Sequence, residues 1–88
     1  MDNFIGQVAG EMWSRLGDEG QVALSRVPDL VDQGPAIAYM ALGWLARESK
    51  VSFYPSERGG RPIIGVGLTS LEQKVFESQD RSVSGVAT

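Results

Sequence analysis

Four cations stand close together in a chain that is otherwise acidic. Arg47, Lys50, Arg58 and Arg61 share one stretch with two anions, Glu48 and Glu57, whereas the residues before Arg47 hold two cations (Arg15, Arg26) and six anions (Asp2, Glu11, Asp18, Glu19, Asp29, Asp32). Guanidinium and ammonium groups gathered in this way suit phosphate contacts, which position a nucleic acid without reading its sequence. Even if all four touched phosphates, binding would fall with salt at a logarithmic slope no steeper than about −4. That permits weak, unspecific duplex binding. The competing reading is a solvated loop whose charges keep it soluble, and a net charge of −3 argues against phosphate gripping as the main task. No aromatic residues are interleaved with these cations as single-strand binding requires, although Phe53 and Tyr54 are close by.

Covalent and acid–base chemistry has few carriers here. The chain has no histidine and no cysteine, so the usual metal sites and disulfides are excluded, and general acid–base work would fall to carboxylates or to Lys50 and Lys74. Asp18-Glu19 and Asp29/Asp32 sit where helix ends and turns are expected, which accounts for them without catalysis. Gly65-Val-Gly67 falls within an expected strand and lacks the following helix that a phosphate-cradling loop needs. No enzymatic activity, cofactor or metal is expected.

The elements that must position these residues follow from hydrophobic spacing. Ile5, Val8, Ala9, Met12, Trp13 and Leu16 recur at helical intervals and predict an amphipathic helix of about four turns, closed by Gly17 or Gly20. Gly6 and Gly10 inside it each cost about 1 kcal/mol relative to alanine, and their spacing predicts a strip where another backbone packs closely. Gln21–Leu24 reads as a small strand. Ser25 reads as the N-cap of a short second helix with Pro28 in its first turn and Val27, Leu30 and Val31 on its buried side. Pro35 is placed to open a third helix, which runs to about Ser49.

Alternation at Val51 and Phe53 predicts a strand. Ser56–Arg61 reads as a charged hairpin tip, and Pro62 starts a return strand with Ile64, Val66 and Leu68 on one face and Ile63, Gly65 and Gly67 on the other. The two glycines would leave a slot for an aromatic ring. Thr69-Ser-Leu-Glu72 is a capping box, and Leu71 and Val75 support a short last helix ending near Glu77. Residues 1–77 are expected to form the domain, and residues 78–88, small and aperiodic, a disordered tail.

Two helices joined by a tight turn and followed by a β-hairpin describe a winged helix-turn-helix, mainly α within the α+β class: a three-helix core, a hairpin wing and a short C-terminal helix. The blocks AGEMWSRL and YMALGWLARESKVSF resemble a family of small, stand-alone winged helix-turn-helix proteins of unknown function found in bacteria and archaea. The resemblance spans roughly residues 4–68 and implies the winged-helix fold.

The third helix decides the functional reading. Ala38, Ala41, Leu42 and Leu45 form the side that packs inward; the opposite strip, which would meet DNA, holds Ile37, Met40, Gly43, Trp44 and Arg47. Base edges are read by hydrogen-bonding side chains such as arginine, lysine, asparagine, glutamine or serine, and of these the strip has one, Arg47. A helix apolar on nearly all sides is buried on nearly all sides. Either Trp44 folds over the hairpin, against Gly65 or Gly67, or Ile37, Met40, Gly43 and Trp44 form a protein interface, for which a homodimer is the simplest partner. The expectation is a regulatory or adaptor-type domain acting through macromolecular contacts, with DNA binding through Arg47, Lys50, Arg58 and Arg61 as the alternative. No run of about 20 apolar residues exists to span a bilayer. The N-terminus lacks the pattern of a signal peptide, and a cytoplasmic location is expected.

Overall fold

The computed structural model describes the backbone of residues 2–87 and the side chains of residues 3–79. Helix α1 spans Asp2–Glu19, strand β1 Gln21–Ala23 and a 3-10 helix Leu24–Leu30; helix α2 follows over Pro35–Arg47, strands β2 (Val51–Arg58) and β3 (Arg61–Leu68) form a hairpin, and helix α3 covers Ser70–Ala87. The sheet is antiparallel throughout, in the order β1-β3-β2. This is the winged helix-turn-helix arrangement expected, with β2 and β3 as the wing.

Hydrophobic spacing explains how the layers close. Ile5, Val8, Ala9, Met12 and Leu16 of α1 are buried, and all but Ile5 join one core with Val27, Val31, Ala38, Ala41, Leu42, Leu45, Val51, Val66 and Leu68. Met12, Leu16, Val27 and Val66 are fully enclosed. Each contributes about 1.5–3 kcal/mol by leaving water. Trp13 lies at the edge of this core and turns toward α3.

The second helix differs from expectation. It is a seven-residue 3-10 helix whose N-cap residue is Ala23 with no side-chain capping bond, so Ser25 is not its cap, and Pro28 sits inside it. So short a segment, with one backbone donor removed by proline, settles into the tighter winding that needs fewer bonds. Its packing is as expected: Val27 is buried, and Val31 follows it into the core. Helix α2 begins with Pro35 in its first turn and stops at Arg47, two residues short of expectation. Ser49 takes a left-handed conformation, φ 60°, and the Ser49 and Lys50 amides donate to the Ala46 and Leu45 carbonyls, which closes the helix.

The wing is more regular than its composition suggested. Arg58 and Arg61 are paired opposite each other, so Ser56–Arg58 and Arg61 belong to the strands, and the turn is Gly59-Gly60 alone. Both glycines have positive φ (60° and 81°), which a two-residue hairpin turn of this hand requires. Strand β2 is an outer strand, with Pro55 in its middle opposite Ile64. The slot expected over Gly65 and Gly67 is taken by β1: the Gln21 side chain lies over Gly65 and the Gly20 carbonyl against Gly67.

Helix α3 continues past Glu77 to Ala87, so the backbone expected to be a disordered tail over 78–88 is helical as far as Ala87; Thr88 lies outside the described residues. No proline and no glycine before Gly85 stops the helix once it starts. Half of the capping box is present. The Glu72 amide donates to Thr69 Oγ1 at 3.2 Å, but the Glu72 carboxylate accepts from Trp13 Nε1 at 2.8 Å instead of returning to the cap.

Candidate functional site

On the outer face of α2 large apolar side chains meet solvent, as Phe53, Tyr54 and Ile64 do on the wing and Leu71 on α3. Ala38, Ala41, Leu42 and Leu45 turn inward, as their spacing requires, and Pro35, Ala36, Tyr39, Met40, Gly43, Trp44 and Arg47 are exposed. Met40 is 49% exposed, Tyr39 41% and Trp44 37%. Of the residues expected on this face, Met40, Gly43 and Trp44 lie on it. Ile37 is half-buried and packs against the core, because it stands at the edge of the strip nearest the inward-facing residues.

Two of the exposed side chains, Tyr39 and Trp44, have a specific neighbour. The Tyr39 hydroxyl donates to the Leu24 carbonyl at 3.1 Å, which fixes the ring across the 3-10 helix and leaves its face open. Trp44 does not reach the hairpin glycines. A Cβ added at Gly6 of α1 would lie 3.7 Å from Trp44 Cζ2, so the indole rests against the glycine strip of that helix. The strip expected to admit a backbone therefore admits a ring at Gly6, and Gly10 faces open space. Gly43 also has nothing within 4 Å of an added Cβ. It carries the helix penalty of a glycine without any contact inside the domain that requires it.

Two hollows flank this face. Gly6, Gly10, Trp13, Trp44, Lys50 and Glu72 contribute to one of about 470 Å³ between α1, α2 and α3. Ala23, Leu24, Tyr39, Pro62, Ile63 and Ile64 contribute to a shallower, mostly apolar one of about 400 Å³ between α2 and the wing. The first also holds Glu48, and its Glu48, Lys50 and Glu72 are the titratable groups it gathers; among the described residues no group of three or more carboxylates could hold a metal ion. Among the described helices none is long and apolar enough to cross a membrane.

The four cations proposed to meet phosphates do not form one patch. Arg47 lies at the C-terminal end of the exposed α2 strip. Lys50 is half-buried beside Glu48 and Glu72 in the hollow near Trp44. Arg58 and Arg61 face each other at the end of the wing, and Arg58 also borders a depression shared with Glu19, Arg26 and Asp29. The strand Val51–Arg58 sets the wing pair apart from Arg47 and Lys50, which stay at the C-terminal end of α2. The one ion pair among the described residues, Arg26–Asp29 at 2.9 Å, is largely exposed and stabilises little.

The sequence reading missed Tyr39, Pro35 and Ala36 as members of the exposed face. A helical projection that includes Tyr39 would have found it, since it stands about 100° from Met40. It also missed the lock that holds α3. Trp13 and Phe76 meet edge to face, centroids 5.6 Å apart at 68°, over Gly17, where any Cβ would overlap the Phe76 ring.

A sequence-family model described as winged helix-turn-helix domain (DUF2582) matches residues 1–64. Neither the curated proteins nor the solved structures contain a match to this chain.

Proposed function

The chain belongs to the DUF2582 family of winged helix-turn-helix domains, a fold of regulatory and DNA-binding type, and from that premise we propose that it acts as an interaction domain whose working surface is the outer face of α2, with a protein as its partner. The observation that carries this reading is the make-up of that face. Tyr39, Met40 and Trp44 are exposed there together, and aromatic residues with methionine, edged by an arginine, are the composition of protein-interface hot spots. Hydrogen bonding to bases has little to work with: the Tyr39 hydroxyl is already engaged with Leu24, and Arg47 and the single indole N–H of Trp44 are the remaining donors among the exposed side chains of the strip. The reading assigns no reaction and no cofactor.

A second reading, duplex DNA binding, is favoured by one observation, the pairing of Arg58 with Arg61 at the end of the wing. With Arg47 it offers phosphate contacts at two separate places, and these position a duplex without reading it.

A photo-crosslinking residue placed at Met40 in cells producing the protein separates the two. The expected adduct is destroyed by protease and resists nuclease. A nuclease-sensitive adduct overturns the protein reading in favour of DNA.

A further inference from the structure

We propose that the hollow between α1, α2 and α3 is a binding site for a small zwitterion, a free α-amino acid with an apolar side chain. Its occupancy is independent of what covers the α2 face. Two indoles, charges of both signs and a floor stripped of side chains meet in this one space of about 470 Å³, within the range of about 300–1,000 Å³ that small-molecule sites take. Gly6 and Gly10, one turn apart on α1, form the floor. The Trp44 indole rests at Gly6, whereas an added Cβ at Gly10 would have nothing within 4 Å. Gly10 therefore carries the helix penalty of glycine with no contact inside the domain that requires it, and a ligand lying on the α1 backbone gives that bare position a use.

The walls fit an apolar side chain. Trp13 is held by the bond from its Nε1 to Glu72 Oε1 at 2.8 Å, Val75 adds an aliphatic surface from α3, and Trp44 is left 37% exposed. A hydrocarbon chain on the open floor covers indole surface that water otherwise wets. The rim fits the charged end. Glu48, Lys50 and Glu72 all line the hollow, yet none is in an ion pair, since the single pair among the described residues is Arg26–Asp29. Opposite charges that share a hollow without closing on each other are set to receive a molecule carrying both. Glu72 Oε1 takes the indole N–H, which leaves Oε2 and the Glu48 carboxylate to accept from an ammonium group, and the half-buried Lys50 to donate to a carboxylate. A simple anion would meet two carboxylates, and a simple cation would leave Lys50 opposing it. Trp44 belongs both to this wall and to the exposed α2 face, so a bound amino acid sets the orientation of that indole and with it the surface offered to a partner.

Both tryptophans of the chain line the hollow, so tryptophan fluorescence reports its occupancy. The full chain is titrated with L-leucine and L-methionine up to about 10 mM, the weak end of small-ligand affinity, at about pH 6.5, where an α-amine stays protonated. A saturable change is expected, with calorimetry giving the same constant. Leucine amide, which keeps only the ammonium, and N-acetyl-leucine, which keeps only the carboxylate, are expected to bind at least about tenfold more weakly. Glu72→Gln is expected to weaken leucine and leucine amide alike, by about tenfold, whereas Lys50→Gln weakens leucine to that extent and leaves leucine amide unchanged. Gly10→Leu fills the open floor and is expected to abolish the response with unchanged circular dichroism. The absence of a saturable change with either amino acid overturns the proposal. Leucine amide bound as tightly as leucine overturns it in favour of a plain cation site, and binding that survives Gly10→Leu overturns it by placing the ligand elsewhere.

Discussion

Gly10 and Gly17 occupy neighbouring positions on one side of α1 and answer the same substitution in opposite ways. Above Gly10 there is open space, so Gly10→Ala removes only the helix penalty of glycine and is expected to stabilise the domain by about 0.5–1 kcal/mol. At Gly17 an added Cβ enters the Phe76 ring, so Gly17→Ala is expected to destabilise by about 1–3 kcal/mol despite the same gain in helix propensity. Urea titration of the two variants reads both signs; equal shifts would contradict the Trp13–Phe76 packing. The sequence showed where the glycines fall but not which are needed. Local spacing gives a residue's side of the helix, whereas the need for Gly17 depends on Phe76, far along the chain. The same limit hid the place of Trp44. Its exposure along α2 was legible from periodicity, but its seat on Gly6 and not on Gly65 or Gly67 depends on how β1 lies along β3.

Among the elements, α1, α2 and the wing were readable because apolar spacing, a proline at a helix start and a glycine pair at a turn all agree with the tertiary structure. The segment Leu24–Leu30 was not, since seven residues containing Pro28 satisfy an α-helical and a 3-10 pattern equally well. Helix α3 is held at its first turns by three described contacts: Trp13 with Phe76, the Trp13 Nε1 bond to Glu72, and a bond of 3.2 Å from Gln73 Nε2 to the Gly17 carbonyl. No described residue of α3 is fully buried and most are exposed, which predicts that α3 opens before the rest. In hydrogen exchange its amides are expected to lose protection ahead of those in α1 and α2. Trp13→Ala, which removes two of the three contacts, is expected to release α3 without unfolding α2; simultaneous loss of protection in both helices would contradict this.

At the scale of the molecule, net charge −3 and cations divided between the C-terminal end of α2 and the end of the wing leave little to hold a phosphate backbone. Retention on duplex DNA is expected at low salt only and should vanish near 0.2 M, without preference for any base sequence. Anisotropy titrations on two unrelated duplexes check this, and a sequence-dependent affinity that survives that salt would reverse the assignment of the α2 face. The sequence exposed the four cations but placed them together; the hairpin carries the wing pair away from Arg47 and Lys50, which only the fold reveals. Pro55 in β2 has a further consequence. An outermost strand presents unpaired amides and carbonyls that invite further strands, and a proline at its centre withdraws a donor where the run would otherwise be longest. Growth by stacking wing upon wing into filaments is thereby discouraged, so crowding this protein does not turn its wing into the seed of a fibre.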